Sequence, residues 1–220
     1  AQAVYTFSSL IGRSEEFTEA IENAKRAAKG LGNVLILGES GTGKELVAQA
    51  IHEASPRNTG PFIPLNCAAI PKELISSELM GYEDGAFTGA KRGGQAGKFE
   101  LANGGTIFLD EIAEMPMDMQ CSLLRILEDR VVCRIGGSKY HPVNVRIVAA
   151  TNRDLWKCVQ RGTFRLDLYF RLNVIRIELP PLRDRTGDID ILVPYLLESA
   201  ARKNRVPMVA ISGEVMELFR

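Results

Sequence analysis

Residues 33–45 read NVLILGESGTGKE, an apolar run that ends in a glycine-rich turn. The turn fits the pattern G-x-x-x-x-G-K, and it lies between a predicted buried strand and a helix expected from about Gly43 to Ala54. In that position glycines let backbone N–H groups converge on phosphate oxygens, and the helix N-terminus and a lysine add positive charge. The simpler alternative is a glycine-rich turn with a surface lysine. We predict a phosphate site formed by Gly38, Glu39, Ser40, Gly41, Thr42, Gly43, Lys44 and Glu45.

Four more apolar runs alternate with helical patterns along the chain, at residues 61–66, 105–110, 144–152 and 174–179. This alternation is typical of a parallel sheet with crossover helices, so the predicted fold class is α/β with a phosphate-binding loop. After Pro180-Pro181 only helical patterns follow, and Pro194 is expected to kink or split the first of them. We predict a nucleotide-binding α/β domain over residues 1–181 and part of an all-helical lid over residues 182–220.

The composition of the 220 residues is that of an ordinary soluble protein, with 27 basic and 27 acidic side chains. A net charge of zero gives no global attraction to nucleic acid or to an anionic membrane. The four cysteines lack C-x-x-C spacing, which argues against a zinc site and for reduced thiols. No apolar run is long enough to span a membrane, and the first residues lack a signal-peptide layout. A cytoplasmic location is therefore expected.

An acidic pair, Asp110-Glu111, follows three apolar residues at the end of a predicted strand. Alone, such a pair also fits the acidic start of a helix. Beside a phosphate loop, the aspartate is expected to help hold Mg²⁺, through water, and the glutamate to orient and deprotonate the attacking water. The two motifs together predict hydrolysis. Glu45 stands where a metal-binding hydroxyl is usual, so either its carboxylate acts through water or Thr42 takes part.

Four polar residues near strand and helix ends are weaker candidates. Asn152 follows the fourth strand, where it could bond the γ-phosphate or the attacking water, and Asn66 ends the second strand, where it could restrain Glu111. Arg165 and Arg171 are six residues apart, about 120° around a helix. One of them could reach a neighbouring subunit's nucleotide. Ordinary strand-end turns and intramolecular ion pairs are the alternatives.

Residues 80–97 read MGYEDGAFTGAKRGGQAG and hold six glycines around a single phenylalanine, Phe87. Each glycine costs a helix roughly 0.8–1 kcal/mol relative to alanine. The stretch is therefore predicted to be a long flexible loop that presents Phe87.

Seven segments in this order resemble the central AAA+ domain of sigma-54-dependent transcriptional activators, the bacterial enhancer-binding proteins of the NtrC class. They are GESGTGKE, NCAAI, GAFTGA, GGTIFLDE, VRIVAATNRDL, FRLDLYFRLNV and LPPLRDR, and the resemblance covers about residues 5–197. It implies ATP and Mg²⁺ as ligands and a ring of six or seven subunits. It also implies a lid that continues beyond Arg220, and DNA contact only through a separate domain.

The resemblance assigns roles residue by residue. Ile11 and Gly12 would lie near the adenine, and Asp110 and Glu111 would be the Walker B pair. Asn66 would restrain the glutamate, Asn152 would be the sensor, and Arg165 and Arg171 would act across the subunit boundary. The sigma factor would contact Gly85, Ala86, Phe87, Thr88, Gly89 and Ala90, assisted by a second loop at Arg134–Val143.

Two other functions stay open. An aromatic loop in an AAA+ ring could instead translocate a polypeptide or nucleic acid, with Lys91 and Arg92 gripping phosphates. From a different class, the chain could be a nucleotide-dependent oligomerisation module that does not hydrolyse ATP. Activation by unfolded protein or DNA would favour the first, and ATP binding without phosphate release would favour the second.

Overall fold

A five-stranded parallel sheet forms the centre of the computed structural model, which describes residues 3–219. The strands in chain order are β1 Val34–Leu37, β2 Phe62–Asn66, β3 Gly81–Tyr82, β4 Gln95–Ala96, β5 Thr106–Asp110, β6 Val131–Cys133, β7 Tyr140–Pro142, β8 Arg146–Thr151 and β9 Ile175–Glu178. The helices are α1 Glu15–Ala28, α2 Lys44–Glu53, α3 Lys72–Met80, α4 Lys98–Leu101, α5 Met117–Asp129, α6 Leu155–Gln160, α7 Leu166–Leu172, α8 Ile189–Asn204 and α9 Gly213–Phe219. Three short 3₁₀ turns span Phe7–Ser9, Ile112–Glu114 and Leu182–Asp184.

The sheet order is β2-β5-β8-β1-β9, and helices cover both faces. A strand covered on both faces buries successive side chains, which explains why the central strand β8 is buried along its whole length. In β1, Val34 and Ile36 pack with Phe17 of α1 and Ile51 of α2, while Leu35 packs in the opposite core. The predicted α/β class and the five predicted strands are confirmed, with each strand slightly shorter than its apolar run.

Residues 80–97 correct the sequence-based prediction of a continuous loop. Met80 is the last residue of α3, and β3 pairs with β4 in an antiparallel hairpin, so that only residues 83–94 lie between strands. The two ends meet backbone to backbone. A Cβ added at Gly81 would lie 2.3 Å from the Gln95 carbonyl oxygen, and one at Gly97 would lie 2.4 Å from the Gly81 nitrogen. Glycine at these positions permits the pairing of the loop's ends.

The C-terminal part of the described chain, residues 182–219, contains the last 3₁₀ turn and helices α8 and α9. Of the two effects expected of Pro194, a kink or a split, the split does not occur, because α8 runs through this residue as one helix. Pro194 is the sixth residue of α8, beyond the first turn, so its missing N–H removes one intrahelical hydrogen bond without ending the helix. Ser212 caps α9, since its hydroxyl accepts from the Val215 N–H at 3.4 Å. None of the helices within residues 3–219 has both the length and the apolarity to cross a bilayer.

Candidate active site

The segment between β1 and α2 is a tight loop whose conformation requires glycine. Gly41 and Gly43 have φ angles of +82° and +93°, which residues with a Cβ rarely adopt. At Gly38 an added Cβ would lie 2.7 Å from the Thr42 hydroxyl, which itself donates to the Glu39 carbonyl oxygen at 2.8 Å. The glycine spacing noted in the sequence is therefore a requirement of this backbone.

The Lys44 ammonium group lies inside this loop. Lys44 is the first residue of α2 and only 7% exposed. Its Nζ donates to the carbonyl oxygens of Gly38 at 3.0 Å and Glu39 at 3.1 Å, and it lies 3.9 Å from Glu111 Oε1. A buried cation at the N-terminus of a helix is an arrangement that favours an anionic ligand.

The acidic pair lies on the neighbouring part of the same sheet edge. Asp110 ends β5, and Glu111 has a left-handed backbone with φ +49°. The Glu111 carboxylate faces Lys44 on one side and accepts from the Asn152 N–H at 3.4 Å on the other. Because β5, β8 and β1 are adjacent parallel strands, their carboxyl ends bring Asp110, Asn152 and Gly38 to one edge. The structure thus brings together the two predicted catalytic carboxylates, the predicted sensor Asn152 and Lys44.

In this structure the Asn66 side chain contacts Asp110 and not Glu111. Asn66 Nδ2 donates to Asp110 Oδ2 at 3.3 Å, and its Oδ1 accepts from the N–H groups of Ala68 and Ala69. The strand register explains this, because Asn66 lies directly opposite Asp110, one residue before Glu111. The left-handed backbone at Glu111 then directs its side chain to Lys44 and Asn152.

The oxygen groups near the predicted metal position differ in their engagement. Asp110 Oδ1 accepts from the Glu111 N–H at 3.0 Å, and Oδ2 accepts from Asn66. Glu45 is exposed and accepts from Gln49 Nε2 at 3.2 Å, one turn along α2. A carboxylate and a hydroxyl are hard oxygen donors of the kind Mg²⁺ prefers, and Mg²⁺ commonly keeps several waters beside phosphate oxygens. Asp110 and Thr42 therefore fit a water-mediated site for this ion.

A cavity of about 540 Å³ opens beside the loop, within the size range of small-molecule sites. Its wall combines residues 39–43 of the loop, which include Ser40, with Ile11 and Phe17 from the N-terminal segment and residues from the C-terminal helices. Gly12 lies behind this wall, where a Cβ would be 2.2 Å from the Phe17 ring. The C-terminal contributors were missed by sequence reasoning, although LPPLRDR was noted as a motif. They are Pro181, Leu182, Arg183, Arg185, Leu192, Tyr195 and Leu196.

An ion pair joins the loop to the C-terminal segment beside this cavity. The Arg183 guanidinium donates two N–H bonds to the Glu39 carboxylate, at 2.8 and 2.5 Å. The hydrogen bonds from Arg183 lower the pKa of Glu39. Both side chains are more than half exposed, so the pair contributes little to stability. It links the phosphate loop to the C-terminal wall of the cavity, since both residues line that cavity.

The two candidate arginine fingers lie at opposite ends of α7 and outside the cavity wall. Arg165 precedes the helix and pairs with Asp167 at 2.7 Å, while Arg171 lies in its last turn, 3.6 Å from Glu128. Arg165 also donates to Cys121 Sγ at 3.0 Å. Both guanidinium groups are partly exposed and paired within the chain, so the intramolecular alternative describes their contacts in this structure.

The loop tip carrying Phe87 is made of two tight turns. The N–H of Ala86 donates to the Glu83 carbonyl, and that of Ala90 to the Phe87 carbonyl. Phe87 is 43% exposed, and its ring packs edge-on against Tyr82 with centroids 5.0 Å apart. Part of the Phe87 ring is therefore accessible at the loop tip.

The second predicted loop, Arg134–Val143, includes strand β7, and its part between β6 and β7 lies directly against the base of the first loop. The Glu83 N–H donates to the Ile135 carbonyl at 3.0 Å, and the Ile135 N–H donates to the Gly81 carbonyl at 3.0 Å. A Cβ at Gly136 would lie 2.9 Å from Ala86 Cβ. Arg134 adds ion pairs to Glu83 and Glu100, so the two loops share one set of contacts.

The family model described as the sigma-54 interaction domain matches residues 10–178, most of the chain and every site described above except the C-terminal cavity wall. The chain belongs to this family. The resemblance to the AAA+ domain of sigma-54-dependent activators is therefore confirmed.

Curated relatives of this sigma-54 interaction domain include several bacterial regulators. A signal-transduction and transcriptional-control protein of Clostridium beijerinckii is 58% identical over 91% of this chain, which spans 32% of that protein. The DNA-binding transcriptional regulator NtrC of Proteus hauseri is 56% identical over 89% of this chain and 41% of its own length. This sigma-54 interaction domain therefore spans less than half the length of these relatives.

Solved structures give the same fold. NtrX from Brucella abortus in complex with ATP has a TM-score of 0.87 and 37% identity, over 94% of this chain and 45% of that one. A P-loop NTPase domain of a sigma-54 transport activator from E. coli has a TM-score of 0.53 at 18% identity, which supports the fold alone.

Proposed function

We propose that this domain binds and hydrolyses ATP and uses the hydrolysis cycle to remodel a sigma-54 RNA polymerase complex. The observation that carries the proposal is the Glu111 carboxylate, held between Lys44 and the Asn152 N–H at the carboxyl edge of the sheet. A proton acceptor beside a phosphate-binding cation is the pairing that hydrolysis requires and binding alone does not.

The roles of the residues follow from their positions. Lys44 exchanges its carbonyl partners and Glu111 for phosphate oxygens, and the freed Glu111 carboxylate accepts a proton from the attacking water. Asn152, one residue beyond the buried strand β8, hydrogen-bonds the γ-phosphate or the attacking water, so its position depends on whether the γ-phosphate is present. Asp110 would hold, through water, a Mg²⁺ ion that binds with ATP, and the ion would supply positive charge beside the transferring phosphate. Ile11, with Gly12 behind it, forms the wall for the adenine.

Arg165 and Arg171 complete the site of a neighbouring subunit in a ring of six or seven. Both lie outside the cavity wall of their own chain and are partly exposed, as donation in trans requires. Each arginine first has to break an ion pair, Arg165 with Asp167 and Arg171 with Glu128. Both pairs are partly exposed, so breaking them costs little free energy.

Residues 85–90 form the surface that touches sigma-54, and the hairpin base transmits the state of the nucleotide to them. Support comes from the exposed Phe87 at the tip and from the second loop packed beneath it. A protein with this function acts in the bacterial cytoplasm, and contact with DNA belongs to a separate domain. The lid boundary at residue 182 is part of this proposal.

Two assays test the function. Phosphate release per subunit should rise with protein concentration, because the site is completed in trans. ATP with a metal-fluoride mimic of the transferring phosphate should trap a complex with purified sigma-54. ATP binding without phosphate release at any concentration would instead support the oligomerisation module, and stimulation by unfolded protein or DNA would support a translocating ring.

A further inference from the structure

A buried ionic cluster ties the N-terminal segment 11–14 to the start of α8, more than 170 residues away in sequence. Asp188 Oδ1 accepts the backbone N–H groups of Arg13 at 2.6 Å and Ser14 at 2.9 Å. Asp188 Oδ2 accepts from the Ser14 hydroxyl at 3.3 Å and from Arg185 Nε at 2.7 Å. Asp188 is fully buried and Arg185 is 8% exposed.

Arg185 continues the connection into the wall of the cavity. Its second terminal nitrogen donates to the Ile11 carbonyl oxygen at 2.7 Å, and its guanidinium lies 3.8 Å above the centre of the Phe17 ring. Ile11, Phe17 and Arg185 all line the cavity beside the phosphate loop, whereas Asp188 does not. Asp188 therefore affects that cavity only through these neighbours.

The use made of Asp188 differs from the usual use of an aspartate at this position. Asp188 is the N-cap residue of α8, where an aspartate normally accepts from the N–H groups of its own helix. Its side chain makes no such bond here, and both carboxylate oxygens instead bind the N-terminal segment and Arg185. Helix α8 therefore lacks a side-chain cap from Asp188, and the same carboxylate holds residues 13 and 14 in place.

We propose that Asp188 and Arg185 are positioning residues for the base of the bound nucleotide. They hold Ile11 at a fixed distance from the phosphate loop. The affinity of the cavity for a nucleotide then depends on contacts with the base as well as with the phosphates. The inference rests on the proposed nucleotide function. It assigns this cluster a role in distinguishing a nucleotide from a bare polyphosphate chain.

The test compares two ligands that share phosphates and differ in the base. Dissociation constants for ATP and for inorganic tripolyphosphate, each with Mg²⁺, are measured for the wild type and for Asp188→Asn. The asparagine oxygen still accepts from the backbone, but the charge that holds Arg185 is lost. We expect ATP binding to weaken about tenfold or more, since one charge-assisted hydrogen bond is lost, while tripolyphosphate binding stays within about twofold.

The matched control is Asp190→Asn, the same change two residues along α8. Asp190 pairs with the exposed Arg13 side chain at 3.7 Å and lies outside the cavity wall. It should leave both affinities unchanged. Parallel weakening of both ligands by Asp188→Asn, or of neither, would overturn the inference, because a merely structural role predicts no dependence on the base.

Two further measurements keep the inference decidable. If Asp188→Asn does not fold, Arg185→Lys is measured in its place, because it keeps a cation beside Asp188 but loses the planar donor to Ile11. In wild-type protein, hydrogen exchange of residues 11–14 should slow with ATP and not with tripolyphosphate. Equal protection by both ligands would overturn the inference, whereas failure of the wild type to bind ATP at all would overturn the proposed function itself.

Discussion

Glu111→Gln is the substitution that separates hydrolysis from binding most cleanly. Glutamine has nearly the same shape, and its amide oxygen can still accept from the Asn152 N–H. It cannot take a proton from water, and it carries no charge toward Lys44, whose Nζ lies 3.9 Å from Glu111 Oε1. Proton acceptance and negative charge are therefore the two properties removed.

The expected magnitudes follow from these two losses. A positioned general base contributes about 10²–10⁴-fold to a rate, equivalent to about 3–5 kcal/mol of barrier. The gross attraction between charges 3.9 Å apart is roughly 4 kcal/mol at an effective dielectric of 20. ATP has to compete with this attraction for Lys44, so removal of the charge should leave ATP affinity equal or tighter.

The assay pairs steady-state phosphate release with an equilibrium measurement of ATP binding at the same protein concentration. Glu22→Gln is the control, because it makes the same chemical change at an exposed α1 carboxylate paired with Lys25. Turnover of Glu111→Gln within about threefold of wild type would refute the assignment of Glu111 as the base. Loss of ATP binding would refute the argument that Glu111 and the phosphates compete for Lys44.

Phe87→Ala should keep ATP turnover and lose the metal-fluoride complex with sigma-54, because the side chain is exposed at the loop tip; loss of nucleotide binding would contradict this. Arg165→Ala should bind ATP normally while phosphate release, lower by about 10³-fold, no longer rises with protein concentration. Phe99→Ala should lower the free energy of unfolding by about 3–5 kcal/mol in denaturant titrations, because Phe99 is fully buried. Burial raises the pKa of Asp188, but the hydrogen bonds it accepts, led by the one from the Arg13 N–H, lower the pKa by more than burial raises it. The net pKa therefore lies below the usual value. The stability that depends on this carboxylate is therefore present above its unfolded-state pKa near 4 and lost as pH falls through the lower folded value, so wild type and Asp188→Asn should converge in acid thermal melts.

The phosphate loop and the sheet could be predicted from sequence because buried parallel strands appear as apolar runs and the loop's glycines are required by its backbone. The contact of Asn66 could not, since it depends on the register that places Asn66 opposite Asp110. The left-handed backbone at Glu111 could not be predicted either, because nothing in a strand-end motif indicates a positive φ at a glutamate. The far wall of the cavity depends on contacts between residues 11–17 and 181–196, which no local pattern records.

The glycines of the Phe87 hairpin fall into two groups with different surroundings. At the base, Gly81 and Gly97 have backbone atoms within 2.5 Å of where a Cβ would be, while at the tip Gly85 and Gly89 face open space. A complete substitution scan scored for both soluble expression and transcription would therefore divide this segment in two. Base positions should fail in both scores. At the tip, Gly85 and Gly89 have φ angles of +72° and +94°, so substitution there strains the backbone even without a clash. The tip residues Phe87 and Thr88 have no such requirement and should fail only in the second score, so the contact side chains can change at little cost to the fold.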